Sequence, residues 1–205
     1  MQNLKRNIEF LYEMGTLRFI PRMWRQFLNK NVANVSEHIF RTMWIAVIIG
    51  KEENADIGKI VKLALVHDVT ETRNSEVHYL SRMYTKRDEE KAIADILDGT
   101  DIEKKFLELF HEYEKRESLE AKIVKDADNL DCDFEIMEHY ANGIKIKEDW
   151  QPVRDRVRNI LFTETAKLMW DEIQKSNPHD WHVNGNNRFN NGDWKQNAKP
   201  SETAR

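Results

Sequence analysis

The sequence contains few of the residues that make cross-links and tight turns. In 205 residues there are one cysteine, seven glycines and four prolines. The single cysteine, Cys132, excludes an intrachain disulfide, and we interpret it as a small buried hydrophobic residue. The scarcity of glycine and proline disfavours a β-sandwich or β-barrel, because those folds need many tight turns.

Long apolar runs are also missing. The longest uncharged apolar run, residues 43–50, is much shorter than the ~20 residues that a membrane-spanning helix needs. The first residues lack the apolar core of a signal peptide, so we expect a cytoplasmic protein without membrane contact. The net charge of −4, from 32 basic and 36 acidic residues, gives no electrostatic reason to expect a nucleic-acid partner.

Apolar residues recur at helical spacing along most of the chain, which predicts an all-α fold. The predicted helices cover residues 4–15, 36–49, 57–68, 88–97, 102–116, 119–140 and 153–174. We expect one helical-bundle domain over residues 1–175 and an Asn-rich polar tail over residues 176–205. The helix capped by Ser36 is apolar on nearly every side, so we expect it to be buried.

Imidazole and carboxylate side chains interrupt the apolar helices in three places. His38 opens the all-round apolar helix, the pair His67-Asp68 ends the next one, and Asp128 lies in a later helix that otherwise faces the core. A buried carboxylate needs a cation or strong hydrogen-bond donors. Two imidazoles and two carboxylates suit one divalent ion such as Mn²⁺, Co²⁺, Fe²⁺ or Zn²⁺. An octahedral ion would keep positions for water and a substrate oxygen, as hydrolysis requires.

The motifs around these residues, with their order and spacing, resemble a known family. They are Val-Ser-Glu-His38, Leu-Val-His67-Asp68-Val-Thr-Glu71 and Val-Lys-Asp-Ala-Asp128, within residues 20–143. Together they are similar to the HD-domain metal-dependent phosphohydrolases, and more narrowly to the branch that contains the 5′-deoxynucleotidases. The resemblance implies an HD-domain helical bundle that holds one divalent metal ion through His38, His67, Asp68 and Asp128.

The resemblance also implies two catalytic carboxylates. Glu71 matches the acid of the family's HDxxE motif, where it would orient or deprotonate the attacking water or protonate the leaving group. The family usually continues with a Gly-Asp pair, where this chain has Ser75 and Glu76. The corresponding acid contacts the nucleotide sugar in relatives, so the longer Glu76 bears on substrate specificity more than on catalysis.

Basic and aromatic residues complete the implied site. Arg22 and Trp24 stand where the nucleotidases carry an arginine and a tryptophan near phosphate and sugar, with Arg25 as a competing candidate for the phosphate. Lys125 corresponds to the lysine of the family's VKxAD stretch, and lies either in the site or at the surface.

The leading functional hypothesis is hydrolysis of a nucleotide monophosphate, in the first place a deoxynucleoside 5′-monophosphate. The alternatives are a phosphodiesterase or nucleotide pyrophosphohydrolase of the same superfamily, and a non-catalytic nucleotide sensor. By analogy with relatives we also consider a homodimer, with Trp150 and Trp170 as exposed interface aromatics.

Other polar residues have simpler interpretations. Asp126 and Asp133 fit a solvated helix face, whereas Asp131, three residues after Asp128, shares its side of the helix and could support the metal site. The remaining histidines match no ligand position, and we interpret them as non-ligands: His78, His111, His139, His179 and His182.

Overall fold

The computed structural model describes residues 3–28 and 31–184, and within them the only strand-like pairing is an isolated bridge between Pro21 and Asn34. The predicted all-α fold is confirmed. The helices are α1 (Leu4–Gly15), α2 (Arg25–Leu28), α3 (Val35–Glu52), α4 (Ile57–Val66), α5 (Glu71–Asn74), α6 (Glu89–Leu97), α7 (Glu103–Lys115), α8 (Leu119–Ala141), α9 (Lys147–Ile160), α10 (Glu164–Ile173) and α11 (Asp180–Val183), with 3-10 turns at Thr16–Phe19 and Ser81–Met83.

The core lies where α8, the longest helix, packs along α3 and α4, with α7 and α10 beside it. Gly50 lies where α3 and α4 approach each other closely, since a Cβ atom there would lie 2.2 Å from Ile60 Cδ1 and would force that side chain to move. This close approach brings the N-terminal half of α3, the C-terminal end of α4 and the middle of α8 together around one point.

Helix α3 begins earlier than the sequence pattern indicated. Its N-cap is Asn34, whose side chain accepts a hydrogen bond from the Glu37 backbone, while the Glu37 side chain accepts one from the Asn34 backbone. This reciprocal capping box satisfies two backbone donors, whereas a cap at Ser36 would satisfy one. The result is a helix start that fixes His38 one turn inside α3.

The prediction that α3 is buried on all sides is wrong for one stripe. Phe40, Trp44 and Ile48 are 61%, 58% and 53% exposed, although the opposite side of the helix is packed in the core. The sequence shows that a helix is apolar all round, but it does not show that neighbouring helices are present on every side.

The predicted last helix is two helices. The helix is interrupted at residues 161–163. Thr163 caps α10 by accepting a hydrogen bond from the Ala166 backbone. The break changes the helical phase between α9 and α10, so that Leu161 and Ile173 are buried, whereas Ile160 and Leu168 are exposed.

Most of the predicted Asn-rich tail, residues 185–205, lies outside the described residues. Among the described helices, none combines the length and the apolar character needed to cross a membrane.

Candidate metal centre and substrate cavity

Four side chains meet at the point where α3, α4 and α8 converge, two of them from the helices α3 and α8 and two from the turn directly after α4. His38 Nε2 lies 3.3 Å from Asp68 Oδ2, 3.3 Å from Asp128 Oδ1 and 3.3 Å from His67 Nε2. Asp68 Oδ2 also lies 3.4 Å from His67 Nε2. The tightest group, in which the ligand atoms all lie within 4.8 Å of one another, consists of His38, His67 and Asp128. The structure therefore brings together all four residues predicted to be metal ligands.

Both imidazoles are oriented by hydrogen bonds through Nδ1. His67 Nδ1 donates to the carbonyl oxygen of Ala64 at 2.7 Å, and His38 Nδ1 faces Asp131 Oδ2 at 2.6 Å. A nitrogen that donates to an oxygen carries the proton, which leaves the other ring nitrogen free to coordinate an ion. Both Nε2 atoms therefore present lone pairs to the same point.

The negative charges of the cluster favour a cation at its centre. Burial and Arg22 act against protonation of His38, but hydrogen bonds to Asp128, Asp131 and Asp68 raise the pKa of His38 well above its usual value. Burial would raise the pKa of the Asp128 carboxyl, yet Lys125 and the two histidines hold that pKa well below its usual range. A divalent cation would supply the same positive charge that these carboxylates otherwise take from a proton.

The spacing of the four side chains fits such an ion. First-row metal ions bind histidine nitrogen and carboxylate oxygen at about 2.0 to 2.2 Å, so adjacent ligands of one tetrahedral or octahedral ion lie about 3.0 to 3.5 Å apart. The separations of 3.3 to 3.4 Å fall within that interval. Nitrogen and carboxylate oxygen together suit a borderline divalent ion.

A cavity of about 320 Å³ opens from this cluster and is lined by His67, Asp68 and Asp128 at one end. That volume is within the usual size range for a small-molecule site, roughly 300 to 1,000 Å³. The cavity wall is rich in both charges and aromatic rings, so it suits a ligand with an anionic group and a planar ring.

Glu71 lies in the cavity wall and is only 4% exposed. Burial, with the neighbouring charges of Asp68 and Glu76, raises the pKa of Glu71 to about 9. Its Oε2 has no hydrogen-bond partner, and its Oε1 lies 3.9 Å from Arg87 Nη1. A buried carboxyl in a cavity wall, with one oxygen free of hydrogen bonds, is suited to accept or donate a proton.

Glu76 is also buried in the wall, but its two oxygens are occupied. Oε1 lies 3.0 Å from Arg22 Nη1, and Oε2 accepts a hydrogen bond from the Met23 backbone at 3.1 Å. Burial raises the pKa of Glu76 although Arg22 acts in the opposite direction. The observed contacts are those of a residue that positions Arg22, whereas the predicted catalytic role of Glu76 stays a prediction.

The structure distinguishes between the two arginines considered for a phosphate. Arg22 is 6% exposed, lines the cavity and lies 3.8 Å from Asp68 Oδ2 through Nη1, with its Nε unpaired. Arg25 is exposed and is not among the lining residues. Trp24 lines the cavity next to Arg22, whose guanidinium lies 5.4 Å from the indole, and packs edge-on against Trp150 at 5.4 Å.

Lys125 lines the cavity and does not extend into solvent. Its Nζ lies 2.6 Å from Asp128 Oδ2, with a side chain that is 22% exposed. The ammonium group is therefore directed at the cluster. It neutralises part of the charge of Asp128 and keeps one face toward the cavity.

Sequence reasoning missed several cavity residues. Arg82, Arg87 and Arg116 line the cavity, as does Tyr113, whose ring lies 5.5 Å from that of His67. Arg82 and Arg87 fall in a stretch without helical periodicity, so the sequence offered no signal for their side. Arg116 has φ 52° after α7, a conformation that ends a helix and turns the chain.

The aspartates around Asp128 are buried, so the prediction of a solvated face for Asp126 and Asp133 is wrong. Asp126 accepts hydrogen bonds from the backbones of Phe162 and Thr163, both at 2.8 Å. Asp133 is paired with Arg154. Asp131 supports His38, as considered from the sequence, and is also paired with Arg41.

The two tryptophans considered for a dimer interface do not form an exposed surface. Trp170 is 6% exposed and belongs to the core. Trp150 is half-buried against Trp24 and Phe27. The expectation that both are exposed is wrong, because helical periodicity alone does not show that the core covers Trp170 or that Trp24 and Phe27 cover part of Trp150.

Comparison with known proteins agrees with this architecture. A family model described as HD domain matches residues 14–170. The chain is 32% identical over 172 residues to the human protein named 5′-deoxynucleotidase HDDC2, covering 81% of this chain and 80% of the relative. The Bos taurus protein of the same name is 31% identical over the same length and coverage.

Solved structures share the fold. A conserved hypothetical protein from Pyrococcus furiosus superposes with a TM-score of 0.69 at 24% identity, covering 82% of this chain and 99% of that one. A predicted metal-dependent phosphohydrolase from Magnetospirillum magnetotacticum superposes with a TM-score of 0.64 at 21% identity, covering 85% and 97%.

A helical bundle built around a cluster of histidines and carboxylates at the end of a charged cavity defines a metal-dependent hydrolase. The chain belongs to the HD-domain family. The resemblance given by the sequence motifs and the assignment to hydrolases are thereby confirmed.

Proposed function

We propose that this protein releases inorganic phosphate from deoxynucleoside 5′-monophosphates, using one divalent metal ion held by His38, His67, Asp68 and Asp128. The observation that carries the proposal is the convergence of two Nε2 atoms and two carboxylates, at separations of 3.3 to 3.4 Å, at the end of a cavity lined by cationic side chains. The names of the relatives with about 30% identity support the choice of substrate.

Several side chains would bind the phosphate. A bound divalent ion would polarise a phosphoryl oxygen and lower the pKa of water in the site. The Arg22 guanidinium, held by Glu76, and the Lys125 ammonium would offset the charge on the remaining phosphoryl oxygens. Both cations are already fixed by carboxylates, so little side-chain entropy is lost when the substrate binds.

Glu71 is the residue we propose for proton transfer. Its carboxyl lies in the cavity wall with one oxygen free of hydrogen bonds, so it can take the proton of the attacking water or give one to the 5′ oxygen that leaves. The surrounding protein keeps bulk water from this carboxyl, since the side chain is almost completely buried.

The nucleoside would occupy the aromatic part of the cavity. Trp24 and Trp150 both line it, and their edge-to-face contact leaves ring surface for stacking with a base or sugar. Glu76 is held by Arg22 and the Met23 backbone, which would fix the position of any contact that it makes with the sugar.

We propose residues 1–175 as the catalytic domain. The family match over residues 14–170 supports this boundary, and α10 ends at Ile173. The Asn-rich segment that follows has no part in the proposed chemistry.

The experiment is a phosphate-release assay on the metal-stripped full chain, reloaded separately with Mn²⁺, Co²⁺, Zn²⁺, Fe²⁺ and Mg²⁺. We expect phosphate from dAMP and dTMP with at least one of these ions and none after chelation. AMP tests the specificity for the sugar, and a deoxynucleoside 3′-monophosphate tests the specificity for the position of the phosphate. Turnover only of cyclic or polyphosphorylated nucleotides would identify a phosphodiesterase or pyrophosphohydrolase instead. Binding of nucleotide and metal without hydrolysis of any phosphate would identify a sensor.

A further inference from the structure

Arg116 occupies a backbone position that suits glycine better than arginine. It directly follows α7 with φ 52° and ψ 33°, the left-handed conformation, and its backbone N–H donates to the carbonyl oxygens of Glu112 and Tyr113. Glycine adopts this conformation at no steric cost, whereas the Cβ atom of any other residue is crowded by the backbone. The chain is therefore strained at Arg116, and strained residues of this kind concentrate at functional sites.

The guanidinium of Arg116 forms no ion pair with the residues that the structure describes. Four of the six arginine and lysine side chains that line the cavity lie within 4.0 Å of a carboxylate oxygen. The other two are Arg82, which is exposed and donates to the carbonyl oxygen of Val77, and Arg116, which is half-buried. The Nε of Arg116 is buried and lacks a hydrogen-bond partner. Arg116 is therefore a partly buried cation that the described part of the chain does not neutralise through a direct contact.

Arg116 lies near the metal centre. Its Cζ lies 6.0 Å from the centre of the Tyr113 ring, and that ring lies 5.5 Å from the ring of His67. The Tyr113 hydroxyl lies 3.5 Å from Asp128 Oδ2. One aromatic ring therefore separates Arg116 from two of the proposed ligands, and Arg116 and these ligands line the same cavity.

We propose that Arg116 binds the phosphate group of the nucleotide substrate. This inference rests on the proposed function and adds a protein cation to the phosphate site, beside Arg22 and Lys125. A partly buried cation without a close carboxylate gains most from a ligand that brings its own negative charge. A phosphate monoester carries about 1.5 to 2 negative charges at neutral pH, whereas the base and the sugar of a nucleotide are uncharged. The phosphate is therefore the part of the substrate that suits Arg116.

The test measures the binding of the two reaction products, which the protein cannot hydrolyse. Calorimetric titration of the Mn²⁺-loaded full chain with inorganic phosphate, and separately with deoxyadenosine, gives one dissociation constant for each half of the substrate. In Arg116→Gly we expect phosphate to bind about tenfold more weakly, because a charge-assisted hydrogen bond is lost, and deoxyadenosine to bind as in the wild type. Lys115→Gln is the matched control, because Lys115 is the adjacent residue, is exposed and does not line the cavity. This control removes the same charge and should bind both probes like the wild type.

Two outcomes overturn this inference while the proposed function stands. The first is equal phosphate affinity for Arg116→Gly and the wild type, and the second is a loss confined to deoxyadenosine, in each case with a wild type that releases phosphate from dAMP. A wild type that binds no phosphate and releases none from any nucleotide overturns the proposed function as well.

Thermal unfolding distinguishes a binding role of Arg116 from a structural one. Glycine relieves the strain at this residue, so the Tm of Arg116→Gly should rise by about 2 to 4 °C although phosphate binding is weakened. Arg116→Lys keeps both the charge and the strain, so it should bind phosphate more tightly than Arg116→Gly and show no such rise in Tm. A lower Tm of Arg116→Gly with unchanged phosphate affinity would show that the arginine stabilises the end of α7, and it would overturn the proposal.

Discussion

Replacement of Asp131 by asparagine is expected to weaken metal binding without removing a ligand. Asp131 accepts a hydrogen bond from His38 Nδ1 at 2.6 Å and is paired with Arg41. Asparagine keeps the volume and one oxygen acceptor but loses the negative charge, so the remaining hydrogen bond to His38 is roughly half as strong. The imidazole then becomes a weaker donor to the ion.

The expected size of the effect follows from the hydrogen bond between Asp131 and His38, one of the proposed ligands. Carboxylates that orient a metal-bound histidine change metal affinity by about 10- to 100-fold, which corresponds to about 1.4 to 2.8 kcal/mol. The dissociation constant can be measured by competition with a chelating dye at fixed pH, a readout that does not depend on turnover. At saturating metal, kcat should return toward the wild-type value.

Asp126→Asn is the matched control for this experiment. Asp126 is also a buried aspartate of α8, but its oxygens accept hydrogen bonds from the backbones of Phe162 and Thr163, away from the cluster. Its replacement should cost about 1 to 3 kcal/mol of unfolding free energy and leave metal affinity unchanged. Equal metal affinity for wild type and Asp131→Asn, or an equal loss in both variants, would refute the proposed support of His38 by Asp131.

Three further predictions concern the centre, the phosphate site and the backbone. His67→Ala should reduce phosphate release by a factor of at least about 10³ while circular dichroism still shows a helical fold; normal turnover with metal would exclude this residue as a ligand. Arg22→Ala should raise KM for the nucleotide by about tenfold or more, whereas Arg25→Ala, at an exposed neighbour, should leave KM unchanged. The reverse result would assign the binding of the phosphate to Arg25. Ser75→Gly should raise Tm by about 2 to 4 °C, because Ser75 has φ 55° and glycine adopts this conformation without strain; a lower Tm would show that the serine side chain stabilises the turn.

The sequence predicted the helical fold and the four residues of the cluster for a clear physical reason. A histidine or carboxylate in an otherwise apolar helix needs a partner, and His38, His67, Asp68 and Asp128 found one another. Their proposed role as ligands stays a prediction, whereas the structure shows that the four side chains lie close together.

Other features depended on tertiary context that periodicity does not contain. Asp126 and Asp133 of α8 looked like a solvated face, since the sequence does not show that Arg154 and the α9–α10 connection cover that side. Trp170 was considered as an exposed residue but is buried, because the break before α10 shifts the helical phase. Arg87 and Arg116 reach the cavity from a loop and a helix end, where side-chain direction is set by the backbone of each residue.

The carboxylate of Asp126 has a consequence for where the protein can be shortened. Asp126 lies in α8, and its carboxylate accepts hydrogen bonds from the backbone N–H groups of Phe162 and Thr163, at the start of α10. The Thr163 hydroxyl also donates to it, at 2.8 Å. A truncated chain that stops before Phe162 would lose these three donors and the part of α10 that packs in the core, and it would expose this side of α8 only two residues from Asp128. We therefore expect the smallest folded fragment to retain α10, whose Trp170 and Ile173 belong to the core, and we expect C-terminal deletions that remove Thr163 to become insoluble.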